Sequence, residues 1–181
     1  MRKVFKIAGS ALIGAFFLAG CGYSMTRLLP TTYRTICIEP FKNEISITEE
    51  VSEEYGYQTY LPELEQKVTR GVINRFLFDG NLRVTSKKEE ADLVLEGKVL
   101  GFVRQPIRRL DDETVEEYRL NLAGGLILRD AHGNIIVEEP NLVGDSTYFL
   151  TGASAKSESA SVDELITDFS RRVVERVVEN W

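Results

Sequence analysis

The chain has 181 residues, of which 22 are Lys or Arg and 28 are Asp or Glu, giving a net charge of −6. That acidic balance carries no nucleic-acid footprint. The length bounds one ordinary domain, long enough to bury a real core.

Residues 1–20 divide into a basic start (Arg2, Lys3, Lys6), an apolar run from Ile7 to Leu18 and the small pair Ala19-Gly20. This is the layout of a secretory signal peptide. The apolar run is about twelve residues, short of the roughly twenty that a membrane-spanning helix needs. Leu18-Ala19-Gly20-Cys21 resembles the lipobox of bacterial lipoproteins, in which a lipid is attached to the cysteine thiol before cleavage and the new amine is acylated afterwards. The expectation is a signal peptide over 1–20, a tether over 21–34 lipidated at Cys21, and a single periplasmic domain over 35–181. Gly22, where Asp would retain a lipoprotein in the inner membrane of enteric bacteria, favours the outer membrane. Loss of the signal peptide removes three basic residues and no acidic ones, so the mature chain is more acidic still.

Along the mature chain, Thr35–Phe41 (TICIEPF) has a continuous apolar centre ending at Pro40, which suits a short strand buried on both faces. Residues 43–58 are acidic without a period and read as an exposed loop. From Leu61, apolar residues at Leu64, Val68, Val72 and Phe76, widened by Ile73 and Leu77, predict an amphipathic helix stopped at Asp79-Gly80. A brief strand over Arg83–Thr85 precedes a polar run, Ser86–Glu90. The strand from Asp92 to about Arg104 should put Leu93, Leu95, Gly97, Val99, Gly101 and Val103 on one side.

Tyr118, Leu120, Leu122, Gly124, Leu126 and Leu128 alternate with polar residues over the next strand. Turns are marked by Asp111-Asp112 before it and by His132-Gly133-Asn134 after it. A last strand, Ile135–Phe149, holds Pro140, so it should be bulged there or lie at the sheet edge. A small polar loop over 151–161 leads to Ser161-Val162-Asp163-Glu164, which has capping-box spacing. The following helix carries Val162, Leu165, Ile166, Phe169, Val173, Val177 and Trp181 on one stripe. The predicted class is α+β, a two-layer sandwich in which about four mostly antiparallel strands are covered by two helices.

No reaction chemistry emerges. The one histidine, His132, sits in a hairpin turn, a poor place for a catalytic base or ligand. Cys37 lies within Ile36-Cys37-Ile38 and reads as a small buried hydrophobe. With Cys21 lipidated, no metal constellation remains, and neither a nucleophile elbow nor a phosphate loop is present. The expectation is a non-enzyme without metal or cofactor.

Several segments in order resemble the lipopolysaccharide-assembly lipoprotein family, LptE: Cys21-Gly22-Tyr23-Ser24, the strands TICIEPFKN, ADLVLEGKV and EEYRLNLAGGLILRD, and a strand ending in STYF before the final helix. The resemblance implies an outer-membrane component of lipopolysaccharide transport, seated in the lumen of a large β-barrel partner, LptD, as plug and assembly factor. The competing reading is a lipoprotein activator of a peptidoglycan synthase or a curli-type secretion component, since such proteins can open with a similar strand. Depletion in the native host separates the two: barrier leakiness with lost surface lipopolysaccharide, or a cell-wall growth defect.

In a meander, alternate turns fall at the same end of the sheet. The loop over 105–114, with Arg108 and Arg109 and with Arg104 just before it, should therefore meet the loop over 150–160 with Lys156, while the His132 turn lies opposite. Arg108, Arg109 and Lys156 are the expected contacts for the phosphates and carboxylates of lipopolysaccharide.

Overall fold

The computed structural model describes residues 33–45, 57–58, 61–110 and 114–178. The signal peptide, Cys21, most of the acidic 43–58 segment, the Asp111-Asp112 turn and Trp181 lie outside them. The described strands are Thr35–Ile38 (β1), Lys42–Asn43 (β2), Tyr57–Gln58 (β3), Arg83–Thr85 (β4), Leu93–Arg109 (β5), Val115–Asp130 (β6) and Ile135–Phe149 (β7). The helices are Leu64–Asp79 (α1) and Glu158–Val178 (α2), with a 3₁₀ turn at Lys88–Glu90.

All seven strands join one sheet in the order β4-β1-β5-β6-β7, and β2 and β3 pair with β5. The two-layer α+β class stands, but the strand count exceeds the four expected and the sheet is mixed. β1 runs parallel to both β4 and β5, with α1 as the crossover that parallel pairing between β1 and β4 requires. All four residues of β1 are buried, the outcome of a continuous apolar run placed between two neighbours. The two-residue strands β2 and β3 take parts of the segment read as loop. Their pairing depends on which β5 residues they meet, which no local pattern encodes.

Both helices cover the same sheet face. Leu64, Val68, Val72 and Phe76 of α1 and Leu165, Phe169, Val173 and Val177 of α2 meet Leu93, Leu95, Leu120, Leu122 and Leu128. α1 ends as its sequence predicts: Gly80 adopts φ 74° and its N–H donates to Phe76 O at 3.1 Å. Leu77, expected to widen the buried stripe, is instead 62% exposed.

Two local details differ from the sequence reading, and a third agrees with it. In β5 a register shift between Val99 and Gly101 leaves Leu100 without a paired residue. Such a bulge reverses the alternation, so fully buried Phe102, and not Val103, continues the core face. α2 begins about one turn before the expected capping box. Ser157 Oγ accepts the Ala160 N–H at 3.2 Å as the helix cap, and Ser161 lies buried inside the helix with its hydroxyl donating to Ser157 O. Pro140 meets both alternatives posed for it: β7 is the sheet edge, and the register against β6 shifts between Gly124 and Leu126.

Close approach of α2 to the sheet requires glycine at two places. A Cβ on Gly144 would lie 2.9 Å from Phe169 N, and one on Gly124 would lie 2.7 Å from Phe169 Cζ. Phe169 sits over both, and its ring makes a T-shaped contact with Phe41 at 6.3 Å and 77°.

Asp92 ties the start of β1 to the start of β5. Its carboxylate accepts the amides of Arg34 at 2.8 Å and Thr35 at 2.9 Å and the Thr35 hydroxyl at 2.9 Å. The Arg34 amide, with the Thr35 groups, holds this carboxyl below its ordinary value of 3.8 against the opposing effect of burial. Replacing Asp92 with Asn is expected to cost about 1.5–3 kcal/mol at pH 7, the usual worth of hydrogen bonds to a charged group. Because the folded pKa lies below the unfolded one, this stabilisation is complete above the ordinary carboxylate range and fades as pH falls through the folded value. Urea titrations of the two proteins should therefore differ at pH 7 and converge in acid. An equal gap at both pH values would show that the charge of Asp92 plays no part.

Candidate functional site at one end of the sheet

The β5–β6 hairpin and the segment after β7 meet at one end of the sheet. Arg108 is in register with Glu117, which in turn faces Phe149. The Leu150 N–H donates to Glu116 O at 3.0 Å, and the Lys156 N–H donates to Phe149 O at 3.2 Å. Arg108, Arg109 and Lys156 are thus carried by adjoining segments. His132 lies at the other end, in a turn where Asp130 accepts the amides of His132 and Asn134 at 2.8 Å each.

The cations are not bare. Arg108 Nη1 lies 3.7 Å from Glu116 Oε2, with its guanidinium 6.0 Å from the Phe149 ring centre. Lys156 is ion-paired with Glu164 of α2. Arg109 is exposed on the last rung of β5, opposite Val115. Beneath them, Arg104 stacks 5.1 Å over Tyr118 and donates from Nη1 to Glu158 at 3.0 Å. Tyr118 stacks on Tyr148 at 5.6 Å, and the Tyr148 hydroxyl donates to Glu158 at 3.4 Å. Burial works against the charge on Arg104, yet Glu158 and the two tyrosines more than offset it and raise its pKa. Burial followed by Glu158 pushes the Tyr148 phenol up.

This Arg-Tyr-Tyr-Glu cluster pins the first turn of α2 to the hairpin and so sets where Lys156 stands. Sequence reasoning noted Arg104 but missed its partners. The available signal was Tyr118 and Tyr148, which fall opposite one another once β6 and β7 are in register.

On the helix-free side, a hollow of about 270 Å³ lies over Gly125, walled by Leu100, Ile127, Glu96, Lys98 and Pro140. Two of its charged lining residues pair with neighbours outside it, Lys98 with Glu44 at 2.9 Å and Glu96 with Arg129 at 3.3 Å. Cys37 is buried, and burial, then Glu39, pushes its thiol pKa up, the opposite of what a reactive thiolate needs. Among the described residues no group of three or more His, Cys, Asp or Glu is placed to hold a metal ion. No helix among them is long and apolar enough to cross a membrane.

The protein is a small two-layer α+β domain whose paired cations and stacked tyrosines gather at one end of the sheet. The chain belongs to the LptE lipopolysaccharide-assembly family, whose model matches residues 33–180. Among solved structures, protein XCC0632 from Xanthomonas campestris shares the fold at a TM-score of 0.53, with 11% identity over 83% of this chain and 87% of that one. Rare lipoprotein B from Shewanella oneidensis matches at 0.45, with 15% identity over 81% of this chain and 92% of that one. Lipoprotein B from Nitrosomonas europaea matches at 0.46, with 14% identity over 83% and 82%. No curated protein matches the chain.

Proposed function

We propose that this chain is an outer-membrane lipoprotein, held by acyl chains on Cys21 and facing the periplasm, that plugs and assists assembly of an LptD-like β-barrel and binds lipopolysaccharide. Membership of the lipopolysaccharide-assembly family over residues 33–180 carries the reading. It is a family without a catalytic role. The helix-free sheet face, dotted with exposed ion pairs such as Lys98–Glu44, is of a kind that a polar barrel lumen accepts. Arg108, Arg109 and Lys156 take the phosphates and carboxylates of the glycolipid. Glu116 and Glu164 hold Arg108 and Lys156 in place beforehand, and exposed pairs of this kind contribute so little that a phosphate can displace the carboxylates.

Two measurements test this. The native lipoprotein should co-purify with a large outer-membrane barrel protein from detergent-solubilised membranes, and recovery of cell-wall synthases alone would overturn the assignment. The triple variant Arg108→Glu, Arg109→Glu, Lys156→Glu should bind lipopolysaccharide at least about tenfold more weakly, equivalent to roughly 1.4 kcal/mol. Unchanged affinity at moderate salt, with fold and barrel association intact, would remove these three residues from the site.

A further inference from the structure

Leu77 and Phe78 close α1 with 62% and 81% of their surfaces exposed, more than any other large apolar side chain among the described residues. Neither contributes to the core that Phe76 beside them fills. The Arg75 guanidinium lies 5.4 Å from the centre of the Phe78 ring, over one of its faces. The other face and Leu77 make a small apolar platform, and apolar surface gathered at one spot favours a cover.

The chain's own N-terminal segment ends at this platform. β1 runs parallel to β4 with Thr35 opposite Arg83, and the Arg83 N–H donates to Arg34 O at 2.9 Å. Because the two strands run the same way, the residues before Arg34 leave the fold on the side from which the chain reaches Arg83. That side holds Gly80 and the last turn of α1. Tyr33 already packs against the core there. Of residues 21–32, Tyr23, Met25, Leu28 and Leu29 are large and apolar, and Arg27 alone is charged. Leu29 and Leu28 stand four and five residues before Tyr33, within roughly 13–17 Å of it along an extended chain. Pro30 biases Leu29 toward extended backbone, which lowers the entropy lost when the pair is seated. Tied to the fold at Tyr33, the two leucines meet the platform at an effective concentration on the order of millimolar. A weak apolar contact is then enough to keep them there.

We propose that Leu28 and Leu29 seat on Leu77 and Phe78, strapping the segment after Cys21 to the end of α1. The strap is independent of what the basic end of the sheet binds and of which partner surrounds the domain. On a chain acylated at Cys21 it leaves residues 21–27 as the free length, about 23 Å at full extension instead of about 40 Å. It thereby limits how far the domain can stand from its own lipid.

The test uses the full-length acylated protein carrying Trp181→Phe and Phe78→Trp, with and without Leu28→Ser and Leu29→Ser, in vesicles of phosphatidylethanolamine and phosphatidylglycerol. Tryptophan at 78 should emit to the blue and resist quenching by acrylamide at every ratio of protein to lipid. The two serine substitutions should abolish both effects while the far-ultraviolet circular dichroism stays that of the parent. A tryptophan that is readily quenched before the serines are introduced would overturn the proposal. Shielding that survives them would overturn it as well. The cover is then a second copy if shielding fades as the protein is diluted in the bilayer, and lipid if brominated acyl chains quench the emission.

Discussion

Replacing Phe169 with Ala is expected to destabilise the domain by about 3–5 kcal/mol, the range for deleting a fully packed aromatic side chain. Phe169 is 1% exposed, and its surroundings are poorly able to collapse into the space it leaves. Gly124 and Gly144 have no side chain to offer, and Phe41 meets the ring only in a T-shaped contact at 6.3 Å. Against a total stability of roughly 5–15 kcal/mol for such a domain, the variant should be partly unfolded at mild denaturant concentration. Equilibrium urea unfolding measures the loss. The comparison is Leu77→Ala, which removes an exposed apolar residue from the other helix and should stay within about 0.5 kcal/mol of the parent. A loss below about 1 kcal/mol at Phe169 would mean that α2 does not seat on the sheet as described.

The second large effect concerns residence at the membrane. One acyl chain binds a bilayer with a constant of only about 10⁴ M⁻¹, and two or more make attachment stable. If both the thiol and the new amine of Cys21 carry acyl groups, Cys21→Ala should abolish fatty-acid incorporation and, because lipid attachment precedes cleavage, leave the uncleaved precursor in place of the mature outer-membrane form. Metabolic labelling with a radioactive fatty acid, followed by fractionation, reads both consequences. Equal labelling of variant and parent would defeat the anchor assignment whatever the fold or the barrel partner proves to be.

Much of the architecture was written locally. The period of 3.6 residues in α1 and α2 and the period of two in β6 follow from backbone geometry, which places side chains on faces regardless of what lies across from them. The residues those periods nominated, Val68, Val72, Phe76, Leu120, Leu122, Phe169 and Val173, are all buried. Gly80 and Pro140 announced themselves for the same reason, since each restricts its own backbone. The family, too, was legible, because its segments recur in order along the chain.

What depended on partners could not be read from the sequence by itself. The bulge at Leu100 that exchanges Val103 for Phe102 exists only in the pairing of β5 with β6. The earlier start of α2 turns on whether Ser157 or Ser161 reaches a free amide. Two-residue β2 and β3 are strands only because β5 is beside them, and Leu77 is exposed because the buried face of α1 is narrower than its apolar stripe. Charge follows the same division. The sequence showed which loops carry Arg108, Arg109 and Lys156, but the tertiary structure alone decided that Arg108 faces Glu116, that Lys156 faces Glu164, and that Arg104 is held by Glu158 over stacked tyrosines. Electrostatic energy depends on distance through space, which the order of residues along a chain does not specify.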